Sequence, residues 1–162
     1  MTVLENAVLG SDQQAGEHLH RVFLSPRGWR ARERKVAAEA RVLLDIVRLR
    51  DKEQALAGTL SGGQRKLLEL ARVLMGRPRM VLLDEPIAGV SPALREELVG
   101  AIQTVQGQGQ TTFLLIEHDL DFVRQLAERV VVMDAGRIIA DGTAAEVWQD
   151  PAVIEAYIGA SP

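Results

Sequence analysis

The chain has 162 residues, 47% hydrophobic and 25% charged, with a formal net charge of −3 and no cysteine; that length is enough for one medium-sized domain. The acidic balance leaves no basic face for a nucleic-acid backbone, so no nucleic-acid partner is expected. The absence of cysteine excludes disulfides, thiolate metal sites and cysteine nucleophiles, and no apolar run is long enough to cross a bilayer. The opening Met1-Thr-Val-Leu-Glu-Asn6 has neither the basic nor the long apolar stretch of a secretory leader, so the expected compartment is the cytosol.

Thr2 and Glu5 stand at capping-box spacing and predict a short helix over 2–10. Residues 11–31 are mixed, with Gly, Ser and Pro. Val36, Ala40, Leu43, Leu44 and Val47 then recur at three- and four-residue spacing, which places them on one face of an amphipathic helix over 32–49. Arg27, Arg30, Arg32, Glu33, Arg34 and Lys35 crowd its entrance. They read as a solvated helix start or as a contact for anionic lipid or a partner, and the interleaved acid favours the first.

Ser61-Gly62-Gly63 precedes a strongly helical stretch over 64–75 that Gly76 and Pro78 stop. Met80-Val-Leu-Leu83 and Phe113-Leu-Leu-Ile116 are solidly apolar rather than alternating, the pattern of parallel strands buried on both faces. A helix over 92–106 lies between them, giving the right-handed strand, helix, strand unit of an α/β domain. Residues 129–133 and 137–140 flank Asp134-Ala-Gly136 and predict a tight hairpin. Two short helices, over 144–148 and 151–157, close the chain, the last docking through Val153, Ile154 and Tyr157. Trp29 and Trp148 are isolated and read as packing residues rather than a base-stacking platform.

Three places carry chemistry. In Leu60-Ser61-Gly62-Gly63-Gln64 a hydroxyl, two glycines and an amide meet a helix start, where unpaired N–H groups and the helix dipole face outward. That is an anion cradle, or else only a helix cap with a flexible approach. Asp84-Glu85-Pro86 puts two carboxylates at the C-terminal end of an apolar strand, the edge at which open α/β sheets bind ligands. Asp84 suits Mg²⁺ held through water and Glu85 a water-orienting or general-base role; the bland alternative is an acidic strand end. His118 follows the second apolar run within Ile116-Glu117-His118-Asp119. It is suited to a γ-phosphate, or is a solvated strand-end histidine.

In order and spacing, these elements resemble the ABC ATPases over essentially the whole chain. Leu60 to Gln64 matches the family's signature motif letter for letter. The resemblance implies that Asp84 is the Walker B aspartate holding Mg²⁺, that Glu85 is the catalytic glutamate, and that His118 is the switch histidine. It implies ATP contact in trans by Ser61, Gly62, Gly63 and Gln64. Gly89-Val90-Ser91-Pro92 stands where the family has its D-loop, with Ser91 in place of a frequent aspartate. Thr2-Val-Leu-Glu-Asn6, Ala88-Gly89, Leu115-Ile-Glu-His-Asp119 and the tail Asp150 to Gly159 are similar to the ATP-binding subunits of branched-chain amino acid or amide importers.

The implied fold is α/β, a partial P-loop NTPase: a helical signature subdomain over 1–76, then part of the mostly parallel core sheet over 77–162 with a helical tail. No Gly-x-x-x-x-Gly-Lys-Ser/Thr loop occurs in the 162 residues. The nucleotide-stacking aromatic and the glutamine loop of the family are also missing, and the chain is expected to begin just past that glutamine. A sheet without its P-loop strand is expected to leave apolar surface uncovered and to associate. The implied partners are a second ATPase subunit and transmembrane permease subunits, placing the chain peripherally on the inner face of the cell membrane. The expected role is the signature and Walker B half of an importer ATPase, inactive alone. The alternatives are a non-catalytic module offering its signature face to a complete ATPase, an inert truncated fragment, or an ATPase of the same fold acting on DNA or ribosomes. The last is disfavoured by the lack of basic patches and of a long coiled-coil insertion.

Overall fold

The computed structural model describes residues 1–11 and 26–159, in two compact units, Met1–Leu114 and Leu115–Pro162. The first unit opens with α1 (Val3–Val8), started by the expected capping box. Glu5 N donates to Thr2 Oγ1 at 3.1 Å and Thr2 N to Glu5 Oε2 at 2.8 Å, satisfying two donors that a helix start leaves open. Six residues make a marginal helix by themselves, and this one is tied down. Val3 N donates to Ala55 O and Leu4 N to Glu53 O, while Val3 and Ala7 are fully buried. At its exit, a Cβ on Gly10 would stand 1.8 Å from the carbonyl oxygen of Arg72, so only glycine permits this approach of two backbones.

Helix α2 runs Pro26–Ile46, starting earlier and ending sooner than its apolar period suggests. Proline suits a first helical turn, and the Arg/Ala/Lys-rich stretch after it has high helix propensity without any apolar signal. At the other end Arg48 takes a φ of 55°, a left-handed stop that turns the buried Val47 and Leu49 inward after the helix has ended. Arg30, Arg32, Arg34 and Lys35 are exposed. The expectations for residues 12–25 and for the side chains of Arg27, Trp29 and Tyr157 lie outside the described residues.

After two single turns of 3₁₀ helix, Arg50–Lys52 and Ala57–Thr59, helix α3 (Gly62–Met75) packs against α1 and α2. It buries Leu67, Leu68, Leu70, Ala71, Leu74 and Met75. Strand β1 (Met80–Asp84), helix α4 (Pro92–Gln106) and strand β2 (Thr112–Ile116) follow, and β1 pairs with β2 in a two-stranded sheet. Burial on both faces, which the solid apolar runs would suit, is not found; what is found is the uncovered apolar surface expected of a sheet without its P-loop strand. Val81 is buried, but Met80, Leu82, Leu114 and Ile116 are 53%, 69%, 50% and 59% exposed. Solid apolar composition marks strands made to be covered twice, and among the described residues one face is left largely open.

The second unit holds α5 (Leu120–Leu126), the antiparallel hairpin β3 (Val130–Asp134) and β4 (Arg137–Gly142), then α6 (Ala144–Val147) and α7 (Pro151–Gly159). The hairpin turns through Ala135 and Gly136, with φ of 46° and 78°. Two positive φ values in a two-residue loop make a type I′ turn, whose twist matches that of the strands. Arg129 clasps Asp141 with two hydrogen bonds, 2.8 and 2.6 Å long; these bonds hold the Asp141 carboxyl below its ordinary range. Glu146 is likewise held low, by the backbone N–H and then the hydroxyl of Thr143. Val130, Val147 and Val153 form the local core, with Trp148 packed against it as expected. Ile154, expected to pack, is 43% exposed; among the described residues of this helix it is its neighbour Val153 that is buried. Among the described residues no helix is long and apolar enough to cross a membrane.

Candidate functional site

The start of α3 is built by Ser61, in extended conformation at φ −62°, ψ 164°. Gln64 N donates to Ser61 Oγ and Ser61 N donates to Gln64 Oε1, both at 3.2 Å. This reciprocal cap uses the acceptors of both side chains. The Ser61 hydroxyl proton and the Gln64 amide NH₂ are donors by nature, and the N–H groups of the first helical turn have no acceptor within the helix. The loop is thus both a cap and a cluster of donors at the positive end of a 14-residue helix.

The two glycines differ in what they permit. A Cβ on Gly62 would meet nothing within 4 Å, whereas one on Gly63 would stand 2.6 Å from Leu94 Cδ1. Gly62 leaves open approach for a ligand; Gly63 lets α3 and α4 come together. Leu60, just before, is buried and anchors the loop.

In the same unit Asp84 ends β1, exposed, and Glu85 follows it, exposed, with φ of 44°. A non-glycine residue in that region costs of order 1–3 kcal/mol and persists only where its surroundings hold it. The turn after it is closed by Ala88 N donating to Glu85 O at 3.1 Å and Val90 N to Ile87 O at 3.0 Å. Lys66 of α3 reaches across: its Nζ donates to Pro86 O at 3.1 Å and to Ala88 O at 2.8 Å. The signature helix and the turn beyond the carboxylates are therefore directly bonded. Lys66 carries no local signal in sequence, because the carbonyls it meets lie about twenty residues on.

Among the described residues no three His, Asp or Glu gather as a metal cluster. A lone exposed Asp84 suits a cation that keeps most of its water and shares phosphate oxygens, as Mg²⁺ does. Ser91, the departure in the D-loop segment, is the N-cap residue of α4, with Pro92 in the first turn.

His118 lies in the second unit, two residues beyond the end of β2, with its side chain 77% exposed. Its backbone N donates to Glu117 Oε2 at 3.3 Å, and its Nδ1 lies 3.8 Å from the same oxygen, while the Glu117 side chain is only 1% exposed. Asp119 caps α5 by accepting from Phe122 N at 2.9 Å, and Phe122 is fully buried. The histidine is thus presented to solvent between an inward glutamate and an anchored helix start.

The profile of the ABC transporter family matches residues 1–88, more than half of the chain, and that of the branched-chain amino acid ATP-binding cassette transporters matches residues 137–161. The chain is 39% identical to "Probable branched-chain amino acid transport ATP-binding protein LivG" of Methanocaldococcus jannaschii, over 98% of this chain and 62% of that protein. It is 35% identical to the high-affinity branched-chain amino acid transport ATP-binding protein BraF of Pseudomonas aeruginosa, with the same coverage. An ATP-binding cassette of an ABC transporter, solved in its ADP conformation, superposes with a TM-score of 0.74 at 37% identity, over 98% of this chain and 63% of that one. The chain therefore spans a little under two thirds of the length of the relatives it matches. By its signature loop, its fold and the match over residues 1–88, the chain belongs to the ABC transporter family.

Proposed function

We propose that the chain serves an ATP-driven importer of branched-chain amino acids or related amides, as the signature and Walker B portion of an ATP-binding subunit. The observation that carries this reading is the start of α3: capped by Ser61 and Gln64, open at Gly62, and rich in donors. Such a surface suits the terminal phosphate of a nucleotide held by another ATPase subunit. On this reading Ser61, Gly62, Gly63 and Gln64 act in trans. Glu85 orients the attacking water and His118 contacts the γ-phosphate in cis, at a second nucleotide that the 162 residues do not themselves hold, and Asp84 would hold Mg²⁺ there through water. That cation, when bound, neutralises charge on the phosphate oxygens.

Phosphoryl transfer depends mainly on positioning and electrostatics, and a P-loop supplies much of both. The 162 residues contain no such loop, so nucleotide capture falls to other residues of the assembly. The proposed partners are a second ATPase subunit and membrane permease subunits at the inner face of the cell membrane, the helical region over 1–76 passing closure to the permease.

The test is turnover and nucleotide binding by the chain, alone and mixed with a complete ATPase subunit. Alone it is expected to be inactive; turnover by the isolated chain that Glu85→Gln abolishes would refute this. In the mixture, added nucleotide binding that Ser61→Arg removes supports the reading, and binding indifferent to that substitution counts against it.

A further inference from the structure

Lys66 stands one helical turn and a half beyond the Ser61 cap, on the same rigid helix as the signature loop. It is half-buried, and its ammonium is bonded at 3.1 and 2.8 Å to two backbone carbonyls that bracket Ile87. Those carbonyls belong to the turn that begins at Glu85, whose own carbonyl accepts from Ala88 N. Glu85 holds a positive φ that has to be maintained from outside. A single side chain thus spans from the phosphate-facing helix to the segment carrying the carboxylate. A lysine reaching backbone carbonyls twenty residues on is not needed to cap or to pack α3, whose core contacts come from its leucines.

We propose that Lys66 is a positioning residue: it ties the turn after Glu85 to the signature helix, so that a shift of that helix on meeting phosphate is transmitted to the setting of Glu85. The catalytic consequence rests on the function proposed above; the tie itself does not. Charge matters here, because an ammonium gives stronger bonds to carbonyls than a neutral donor. Arginine, with its several donors, should retain part of the tie, and methionine, of similar length and apolar, should not.

The test has two arms, using wild type, Lys66→Met and Lys66→Arg. In amide hydrogen exchange on the full chain, Ala88 and Val90 are expected to exchange about tenfold faster in Lys66→Met, with Leu70 and Ala71 of mid-α3 unchanged and Lys66→Arg near wild type. In the chain assembled with its ATPase partner, kcat is expected to fall about ten- to a hundredfold in Lys66→Met, as displacement of a reacting group does. KM should stay within about twofold, and Lys66→Arg should recover much of kcat. Unchanged exchange at Ala88 and Val90 overturns the proposal. So does faster exchange with undiminished kcat, which leaves Lys66 a merely structural tie. If the wild-type assembly shows no turnover, the function proposed above is what fails, and the exchange arm alone decides whether Lys66 holds the turn.

Discussion

Glu85, proposed above to orient water, has an uncomfortable backbone. Its φ of 44° would cost glycine nothing, so Glu85→Gly is expected to raise stability by about 1 kcal/mol while removing the carboxylate. Glu85→Gln keeps the strain and should melt like the wild type. A melting comparison of the three chains checks this, and an unstabilised glycine variant would show that the surroundings, not the residue, set the conformation. At the other half of the site, Ser61→Ala removes the acceptor of Gln64 N and is expected to cost about 1 kcal/mol in denaturant unfolding. Gly62 and Gly63 should part company despite being neighbours. Alanine at 62 meets open space, whereas alanine at 63 displaces the tip of Leu94. Gly63→Ala is therefore expected to be the less stable of the two, and adding Leu94→Ala should narrow the gap.

At the scale of elements, the type I′ hairpin between β3 and β4 offers a direct test of turn chemistry. Ala135 has φ of 46°, where asparagine is preferred, so Ala135→Asn is expected to stabilise by about 0.5 kcal/mol. The same hairpin carries the Arg129 to Asp141 pair, whose hydrogen bonds lower the Asp141 pKa in the folded chain. A lowered folded value means that the stabilisation is complete above the ordinary carboxylate range and is lost as pH falls through the folded pKa. A chemical-shift titration should place Asp141 below an ordinary aspartate, and Asp141→Asn should flatten the acid limb of the melting temperature. An unshifted Asp141 would mean that the pair is open in solution. The caps of α1 and α3 and the hairpin were legible in sequence, since Thr2 with Glu5, Ser61 before a helical stretch and Asp134-Ala-Gly136 are local signals. The start of α2 at Pro26 was not, because arginine-rich helix leaves no apolar period to read. Lys66 was equally silent, its partners lying twenty residues away in a turn that no spacing connects to it.

For the molecule as a whole, the order of strand, helix and strand was readable, and so were the residues that carry the signature. The open apolar face was readable as well, from the lack of a P-loop in the 162 residues: among the described residues Leu82 and Leu114 are 69% and 50% exposed. Surface of that kind drives association. Sedimentation at rising concentration is expected to show self-association that Leu82→Gln combined with Leu114→Gln reduces; identical profiles would assign the association to another surface. The contact between Gly10 and the Arg72 carbonyl bears on a different matter, the freedom of this sequence to drift. Leu9 next to it is exposed and open to exchange over generations, whereas any other residue at position 10 requires α1 first to lift from α3. A lineage can therefore leave that glycine only by rebuilding the joint between two helices, a route that single substitutions do not offer.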